Sequence, residues 1–204
     1  MVIGAGKEAH KRINSLLKHN CKITVISNKI NKQMESLLKK KKIEFKKMKV
    51  DNTDFLGTEK PYVIITTTNN KKLNEKIILK ARKMKILSYS SDNPEKSDFS
   101  NPAIIDLQDI VQIAIFTGGK SPAMSKKIKN KIERSIKKSV TQEELDQIKV
   151  QQIARELAKS KIPAQSQRKL FLKKIMANNE IKQLIKDRKT KNVEKSIASI
   201  LEEW

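Results

Sequence analysis

The chain has 204 residues, of which 37% are hydrophobic and 33% are charged, a balance that predicts a globular protein and excludes a disordered one. Lysine supplies nearly all of the formal net charge of +23 and occurs along the whole sequence, so we interpret most of the charge as a lysine-rich composition that would also attract anionic substrates, and we do not expect nucleic-acid binding. Short apolar runs, one cysteine and two histidines predict a cytoplasmic protein without a membrane segment, an internal disulfide or a metal site.

The first half of the chain alternates strand-like and helix-like segments. Between the strand-like segments, apolar residues recur at helical spacing, as in Ala9, Ile13 and Leu16. Strands that alternate with helices predict a doubly wound parallel sheet of the Rossmann-like α/β class. The predicted strands cover residues 1–3, 22–27, 43–50, 61–68 and 85–91.

The pattern changes in the second half. Two short strands at 102–106 and 110–116 are separated by three residues, which predicts a hairpin or a sharp corner. A double glycine follows, and then Ser121 and Pro122 are the expected N-cap and first residue of a helix. The remainder is helical in pattern, with an interruption near Pro163 before a last pair of helices. The predicted domains are therefore a nucleotide-binding domain at 1–116, a glycine loop and helix at 117–140, and a helical domain at 141–204.

The sequence GAGKEA at 4–9 joins the first strand to the first helix and matches the dinucleotide fingerprint G-x-G-x-x-A. In that motif, Gly4 allows a tight turn and Gly6 lets a pyrophosphate approach the helix N-terminus. A simple strand-to-helix turn is the alternative. The second strand ends in Asn28 and Lys29 rather than in an acid for the ribose hydroxyls, which leaves the choice between NAD and NADP open.

Five stretches share their order and spacing with one protein family. They read VIGAGKEAHKR (2–12), CKITVIS (21–27), VIITTTNNKKLNEKI (63–77), SDNPEKSDFSNPAIID (91–106) and IAIFTGGKSPAMSKKIKNKIE (113–133). Together they resemble the precorrin-2 dehydrogenase and sirohydrochlorin ferrochelatase family, which also forms the N-terminal part of siroheme synthases. The chain departs from the family at T-T-N-N (67–70), where A-T-D-D is usual, and at Tyr89, where asparagine is common. The short first strand leads us to expect a native start further upstream.

The resemblance implies two reactions. The first is an NAD-dependent dehydrogenation of precorrin-2 to sirohydrochlorin, and the second, in many members, is insertion of Fe²⁺ to give siroheme. One family aspartate serves both and falls on Asp92, where a local turn in SDNP is the alternative role. A carboxylate at the carboxyl end of a parallel sheet is a suitable proton acceptor for either step. The resemblance also implies a homodimer that interlocks through the region after the sheet.

The resemblance distributes the remaining site residues over two groups. The cofactor group comprises Gly4, Ala5, Gly6, Lys7, Glu8, Asn28, Lys29 and Thr68. The substrate group comprises Thr117, Gly118, Gly119, Lys120 and Ser121. This second loop offers backbone N–H groups and a lysine to the carboxylates of a tetrapyrrole, although a plain helix-capping loop explains the same residues.

Two alternatives to the bifunctional enzyme stay open. The chain could be a dehydrogenase that leaves iron insertion to another protein. It could also be a non-enzymatic nucleotide sensor whose basic helical tail binds nucleic acid, an interpretation supported by the charge alone.

Overall fold

The structure, a computed structural model, describes the backbone of residues 1–204 and all side chains except those of residues 190 and 191. The chain divides into two compact units, Met1–Asn101 and Pro102–Trp204. The strands predicted at 102–106 and 110–116 belong to the second unit, because they pair with each other and pack against helices of that unit.

A five-stranded parallel sheet organises the first unit and confirms the predicted doubly wound α/β fold. The strands lie in the order β3-β2-β1-β4-β5, and Val2 of the central strand is opposite Val25 on one side and Ile65 on the other. The order in which strands are added therefore reverses between β1 and β4, and open sheets of this class bind ligands at that point. The strands are β1 (Val2–Ile3), β2 (Thr24–Ser27), β3 (Glu44–Lys47), β4 (Val63–Thr66) and β5 (Leu87–Ser90).

Successive strand residues alternate between the two faces of this sheet, so both faces carry apolar side chains, and helices cover both. Val2 enters the core that contains Ile13 and Met34, whereas Ile3 enters the opposite core with Ile77. The helices are α1 (Lys7–Leu16), α2 (Lys32–Lys39), α3 (Phe55–Glu59) and α4 (Lys71–Lys83). The sequence pattern does not predict α3, whose five residues are too few to show a helical period.

The second unit begins with an antiparallel hairpin, which confirms the hairpin alternative. Strand β6 (Ala103–Leu107) pairs with β7 (Val111–Ile115), and Gln108 and Asp109 between them both have positive φ, as tight hairpin turns require. A core around Ile105 joins this hairpin to the helices that follow it in the unit.

Five helices complete the second unit. Three of them follow Pro163, rather than the predicted pair, because Asn178 ends one helix and its side chain caps the next through Ile181 N. The helices are α5 (Pro122–Ser139), α6 (Gln142–Lys161), α7 (Gln165–Ala177), α8 (Asn179–Lys186) and α9 (Thr190–Glu202). Among the described residues, no helix combines the length and the apolar character needed to cross a bilayer.

Candidate functional site

The carboxyl ends of three adjacent strands of the first unit carry the predicted site residues. The glycine turn follows β1, residues 67–70 follow β4, and Asp92 lies two residues beyond β5. Because these strands are parallel, all three segments emerge at the same edge of the sheet. Because β4 lies between β1 and β5, the three segments are also neighbours along that edge.

Gly4 makes a turn that other residues cannot make without strain. Its φ is +103°, and a Cβ atom added there would lie 2.7 Å from Thr67 Oγ1. The same Thr67 hydroxyl donates to Ile3 O at 2.8 Å, and Gly4 N donates to Ile26 O at 2.8 Å. The turn is thus fixed against both neighbouring strands.

Gly6 leaves the start of α1 open. It is the N-cap residue of α1, and in the described structure no side chain accepts from the first N–H groups of this helix. By contrast, Asn31 and Asn70 cap α2 and α4 with their side-chain oxygens. A Cβ added at Gly6 would have no atom within 4 Å. Unpaired N–H groups that face open space fit the pyrophosphate of a dinucleotide.

The other predicted cofactor residues differ in whether their atoms already bind other parts of the protein. Ala5 O accepts from Asn31 Nδ2 at 2.9 Å, which ties the turn to α2. Glu8 forms an ion pair of 2.6 Å with Arg12. Lys7, Asn28 and Lys29 are exposed. Asn31 is a contributor that the sequence analysis missed, although its position before a helix was a signal.

Asp92 is held through only one of its carboxylate oxygens. Oδ1 accepts from Asn74 Nδ2 and from Ser90 Oγ, each at 2.7 Å. In the part of the chain that the structure describes, Oδ2 has no hydrogen-bond partner, and Asp92 is exposed. One oxygen is therefore fixed by the protein and the other is available to a ligand.

Asn74 is a buried amide that the sequence analysis did not identify as a site residue. It is 0% exposed and lies on α4, where it interrupts the apolar stripe formed by Leu73, Ile77, Ile78 and Ala81. Thr68, a predicted cofactor residue, donates its hydroxyl to Asn74 Oδ1 at 2.6 Å, and its carbonyl accepts from Asn74 Nδ2 at 2.9 Å. A polar residue within an apolar helical stripe was the available signal.

A second aspartate, Asp98, lies against the same strand and the same helix. Its Oδ2 accepts from the Ser88 hydroxyl at 2.6 Å and from Ser88 N at 2.8 Å, and its Oδ1 accepts from Arg82 Nε at 3.0 Å. Burial tends to raise the pKa of Asp98, but these hydrogen bonds and the Arg82 charge together outweigh it and lower the pKa. Ser97 Oγ also accepts from Ser90 N at 2.9 Å, so this segment lines β5.

The predicted substrate loop lies in the second unit, whereas Asp92 lies in the first. Thr117 and Ser121 are hydrogen-bonded within the turn, since Thr117 Oγ1 accepts from Ser121 N and Ser121 Oγ caps α5 at Met124 N. Gly118, Gly119 and Lys120 are exposed. The backbone N–H of Lys120 donates to Thr117 O at 3.1 Å, so this residue offers its ammonium group, while no hydrogen bond of the two glycine N–H groups is seen among the described residues.

Within the described residues, no group of three or more His, Cys, Asp and Glu side chains lies close enough together to hold a metal ion. Cys21 is exposed.

Family models match two parts of the chain. Residues 1–103 match the family described as "Putative NAD(P)-binding", and residues 111–135 match the one described as "Sirohaem biosynthesis protein central". The first of these covers the whole glycine turn and Asp92.

Individual relatives carry related names. A siroheme synthase from Vesicomyosocius okutanii is 32% identical over 136 residues, which are 67% of this chain and 28% of that protein. A "Putative precorrin-2 dehydrogenase" from Methanocaldococcus jannaschii is 25% identical over 189 residues, which are 91% of this chain and 88% of that protein. The chain thus spans about a quarter of the siroheme synthase.

A solved structure shares the fold. It is described as "SirC, precorrin-2 dehydrogenase" and matches with a TM-score of 0.70 at 19% sequence identity. The match covers 100% of this chain and 93% of that chain.

Proposed function

The chain belongs to the family formed by precorrin-2 dehydrogenases and the N-terminal part of siroheme synthases, and we propose that it dehydrogenates precorrin-2 to sirohydrochlorin with NAD. The observation that carries this proposal is that two features lie at one edge of the parallel sheet. One is the start of α1 after Gly6, whose N–H groups are not capped by a side chain in the described structure, and the other is Asp92, which is hydrogen-bonded through Oδ1. The N-terminus of α1 can bind the pyrophosphate of a dinucleotide, and the carboxylate of Asp92 can accept a proton.

The glycine turn and the first turn of α1 would hold the pyrophosphate. Gly4 shapes the turn, Gly6 keeps the approach open, and the N–H groups at the start of α1 donate to the anion. Asn28 and Lys29, exposed after β2, would face the ribose. When bound, the nicotinamide supplies the hydride acceptor.

Asp92 would take up the proton that accompanies the loss of a hydride from precorrin-2. Loss of two hydrogens as a hydride and a proton needs a base, and Oδ2 of Asp92 is the oxygen that the protein leaves without a partner among the described residues. Oδ1 stays bound to Asn74 and Ser90, which keeps the carboxylate in place.

We extend the proposal to the insertion of Fe²⁺ into sirohydrochlorin. Entry of the metal displaces two nitrogen-bound protons from the macrocycle, and the same Asp92 oxygen would accept the first, release it to solvent from its exposed position, and then accept the second. Gly118, Gly119 and Lys120 would bind peripheral carboxylates of the tetrapyrrole, since the N–H groups of the two exposed glycines and the ammonium group of Lys120 suit anions.

We also propose that the protein is a homodimer that associates through the second unit. Ile104, Phe116 and Met124 are large apolar side chains that remain exposed on the hairpin and at the start of α5. A second copy that covers them would remove apolar surface from water. Light scattering on the purified protein should give twice the mass of the chain, and a monomer at all concentrations would contradict the dimer.

An absorption assay tests the enzymatic proposal. The protein is incubated anaerobically with precorrin-2 and with NAD⁺ or NADP⁺ in turn, and we expect reduced nicotinamide together with the sirohydrochlorin spectrum. Fe²⁺ is then added, and conversion to siroheme above the rate without protein supports the chelatase step. Absence of turnover with either cofactor contradicts the dehydrogenase, whereas turnover without iron insertion leaves a dehydrogenase alone. Salt-sensitive DNA binding in the absence of turnover would favour the nucleotide-sensor alternative.

A further inference from the structure

We propose that Asn74 and Ser90 are positioning residues that together fix Oδ1 of Asp92 and so reserve Oδ2 for proton transfer. This inference rests on the proposed function, because it assigns how the base of that reaction is held. Its physical content, a carboxylate with one committed and one reactive oxygen, is independent of which substrate supplies the proton.

The hydrogen bonds of Asn74 allow only one orientation of its amide. Two of its three neighbours, Asp92 Oδ1 and Thr68 O, can only accept, so both must face the Nδ2 hydrogens. The remaining neighbour is the Thr68 hydroxyl, which donates to Asn74 Oδ1. Every polar atom of this fully buried side chain is therefore satisfied in one arrangement, and that arrangement directs an N–H at Asp92.

The direction of the Ser90 bond is fixed in the same way. Ser90 Oγ lies 2.7 Å from Asp92 Oδ1 and 3.2 Å from Thr66 Oγ1. Because Ser90 donates its one proton to Asp92, it must accept from Thr66, which is 0% exposed. The buried hydroxyl pair is thereby polarised toward the carboxylate.

The same amide joins Asp92 to the segment after β4. Asn74 binds both the hydroxyl and the carbonyl of Thr68, a residue predicted to contact the cofactor. Asn70 N donates to the Thr68 hydroxyl at 3.2 Å and belongs to the same segment. Asn74 therefore links Asp92, which is exposed beyond the end of β5, to the segment that follows β4.

The chain offers a matched pair of variants for the test. Ser90→Ala removes one donor to Asp92, whereas Ser88→Ala removes the hydroxyl that donates to Asp98. The two serines lie on the same strand and on the same face of it, and they are 3% and 0% exposed. Substitution of Asn74 would also remove its two hydrogen bonds with Thr68, so Ser90 provides the cleaner comparison.

The first measurement is steady-state kinetics with precorrin-2 as a function of pH. We expect Ser90→Ala to lower kcat roughly tenfold and to move the acidic limb of the profile to higher pH, because a hydrogen bond to the charged carboxylate has been lost. The dissociation constant for NAD⁺ should stay within about twofold, since the glycine turn is untouched. Ser88→Ala should keep both kcat and the position of the acidic limb.

The second measurement uses the cofactor-free protein and needs no turnover. Carbon-13 NMR of aspartate carboxyl groups, with Asp92→Asn to assign the resonance, should show that the Asp92 carboxyl resonance of Ser90→Ala is displaced from its wild-type position, because the hydrogen bond to Oδ1 has been lost. In Ser88→Ala, the Asp92 resonance should be unchanged and that of Asp98 should move instead.

The two measurements separate the inference from the proposed function. If the wild type does not convert precorrin-2 but the NMR shift is present, the proposed function fails and the positioning of Asp92 stands. Equal effects of the two serine variants on kcat, together with an unchanged Asp92 carboxyl resonance in Ser90→Ala, would show that Ser90 only supports the fold and would overturn the inference.

Discussion

The two ends of the contact between β5 and α4 each hold an aspartate, and they hold it differently. At one end, Ser88 and Arg82 bind both oxygens of Asp98. At the other end, Ser90 and Asn74 bind only Oδ1 of Asp92. The serines are two residues apart on the strand, and Asn74 and Arg82 lie two turns apart on the helix. The same strand and helix thus bind both carboxylate oxygens of Asp98, whereas they bind Oδ1 of Asp92 and leave its Oδ2 available to a ligand.

The nature of the helical partner reinforces the difference. Arg82 carries a charge that stabilises the ionised form of Asp98, while Asn74 is neutral and only orients Asp92. A structural carboxylate benefits from a permanent counter-charge. A base must also be able to hold a proton, and a neutral donor permits that.

The largest expected effect is that of Asp92→Asn. The amide retains an oxygen that can accept from Asn74 and Ser90, so the variant should fold with nearly unchanged stability. It cannot take up a proton, and kcat should therefore fall by about three orders of magnitude. Turnover of precorrin-2 and fluorescence titration with the nicotinamide cofactor measure the two properties. A variant with full activity would show that another group is the base.

Asp98→Asn should give the opposite result. An amide nitrogen would replace one carboxylate oxygen and would face the Ser88 or Arg82 donors, so we expect a loss of about 2 kcal/mol in the free energy of unfolding. Turnover per folded molecule should stay within about twofold of the wild type. Urea unfolding and the absorption assay provide the two values, and a large fall in kcat without a loss of stability would erase the distinction between the aspartates.

The glycine pair extends the comparison from carboxylates to the backbone. Gly4→Ala places a methyl group against Thr67 at a positive φ and should cost about 2 kcal/mol of stability. Gly6→Ala meets no neighbour, at a φ of −80° that alanine tolerates, and should cost less than about 1 kcal/mol. Its methyl group would instead obstruct the anion, so NAD⁺ affinity should fall roughly tenfold. Equal NAD⁺ affinity in Gly6→Ala and the wild type would place the pyrophosphate elsewhere.

The smallest expected effect is on the pH dependence of stability. Because the pKa of Asp98 is lower in the folded protein, the unfolded chain binds a proton more readily as the pH falls. The stabilisation by Asp98 is therefore complete above the unfolded pKa of about 3.9 and is lost as the pH drops through the lower folded pKa. The difference in unfolding free energy between the wild type and Asp98→Asn should shrink over this acidic range. A constant difference would mean that Asp98 does not titrate differently in the two states.

Much of the fold and the outline of the site follow from local patterns. Alternating periods of two and 3.6 residues predict the parallel sheet, and the letters GAGKEA predict its first turn. The hairpin at 102–116 also follows from strand spacing, but its membership in the second unit depends on pairing and packing that no local pattern encodes.

The hydrogen-bonding around Asp92 was beyond reach of the sequence. Asn74 lies 18 residues before Asp92, and its role depends on which face of α4 meets the end of β5. Ser90 and Ser88 look alike in the sequence, and only the positions of the two aspartates distinguish them. Thr117 and Ser121 were predicted either to bind a ligand or to cap a helix, and their hydroxyls take part in a local cap; the prediction of substrate binding stays a prediction.

The segment after β5 also determines where the sheet stops. Asp98 and Ser97 accept the N–H groups of Ser88 and Ser90, and Asp98 N returns a hydrogen bond to Ser88 O. An additional strand would pair with these same groups of β5. Residues 97 and 98 therefore occupy the hydrogen-bonding positions of such a strand. The opposite border, β3, carries Glu44, Lys46 and Lys47. Lateral growth of the sheet into fibrous aggregates is therefore disfavoured on both sides, by hydrogen-bonded N–H groups at β5 and by charged side chains at β3.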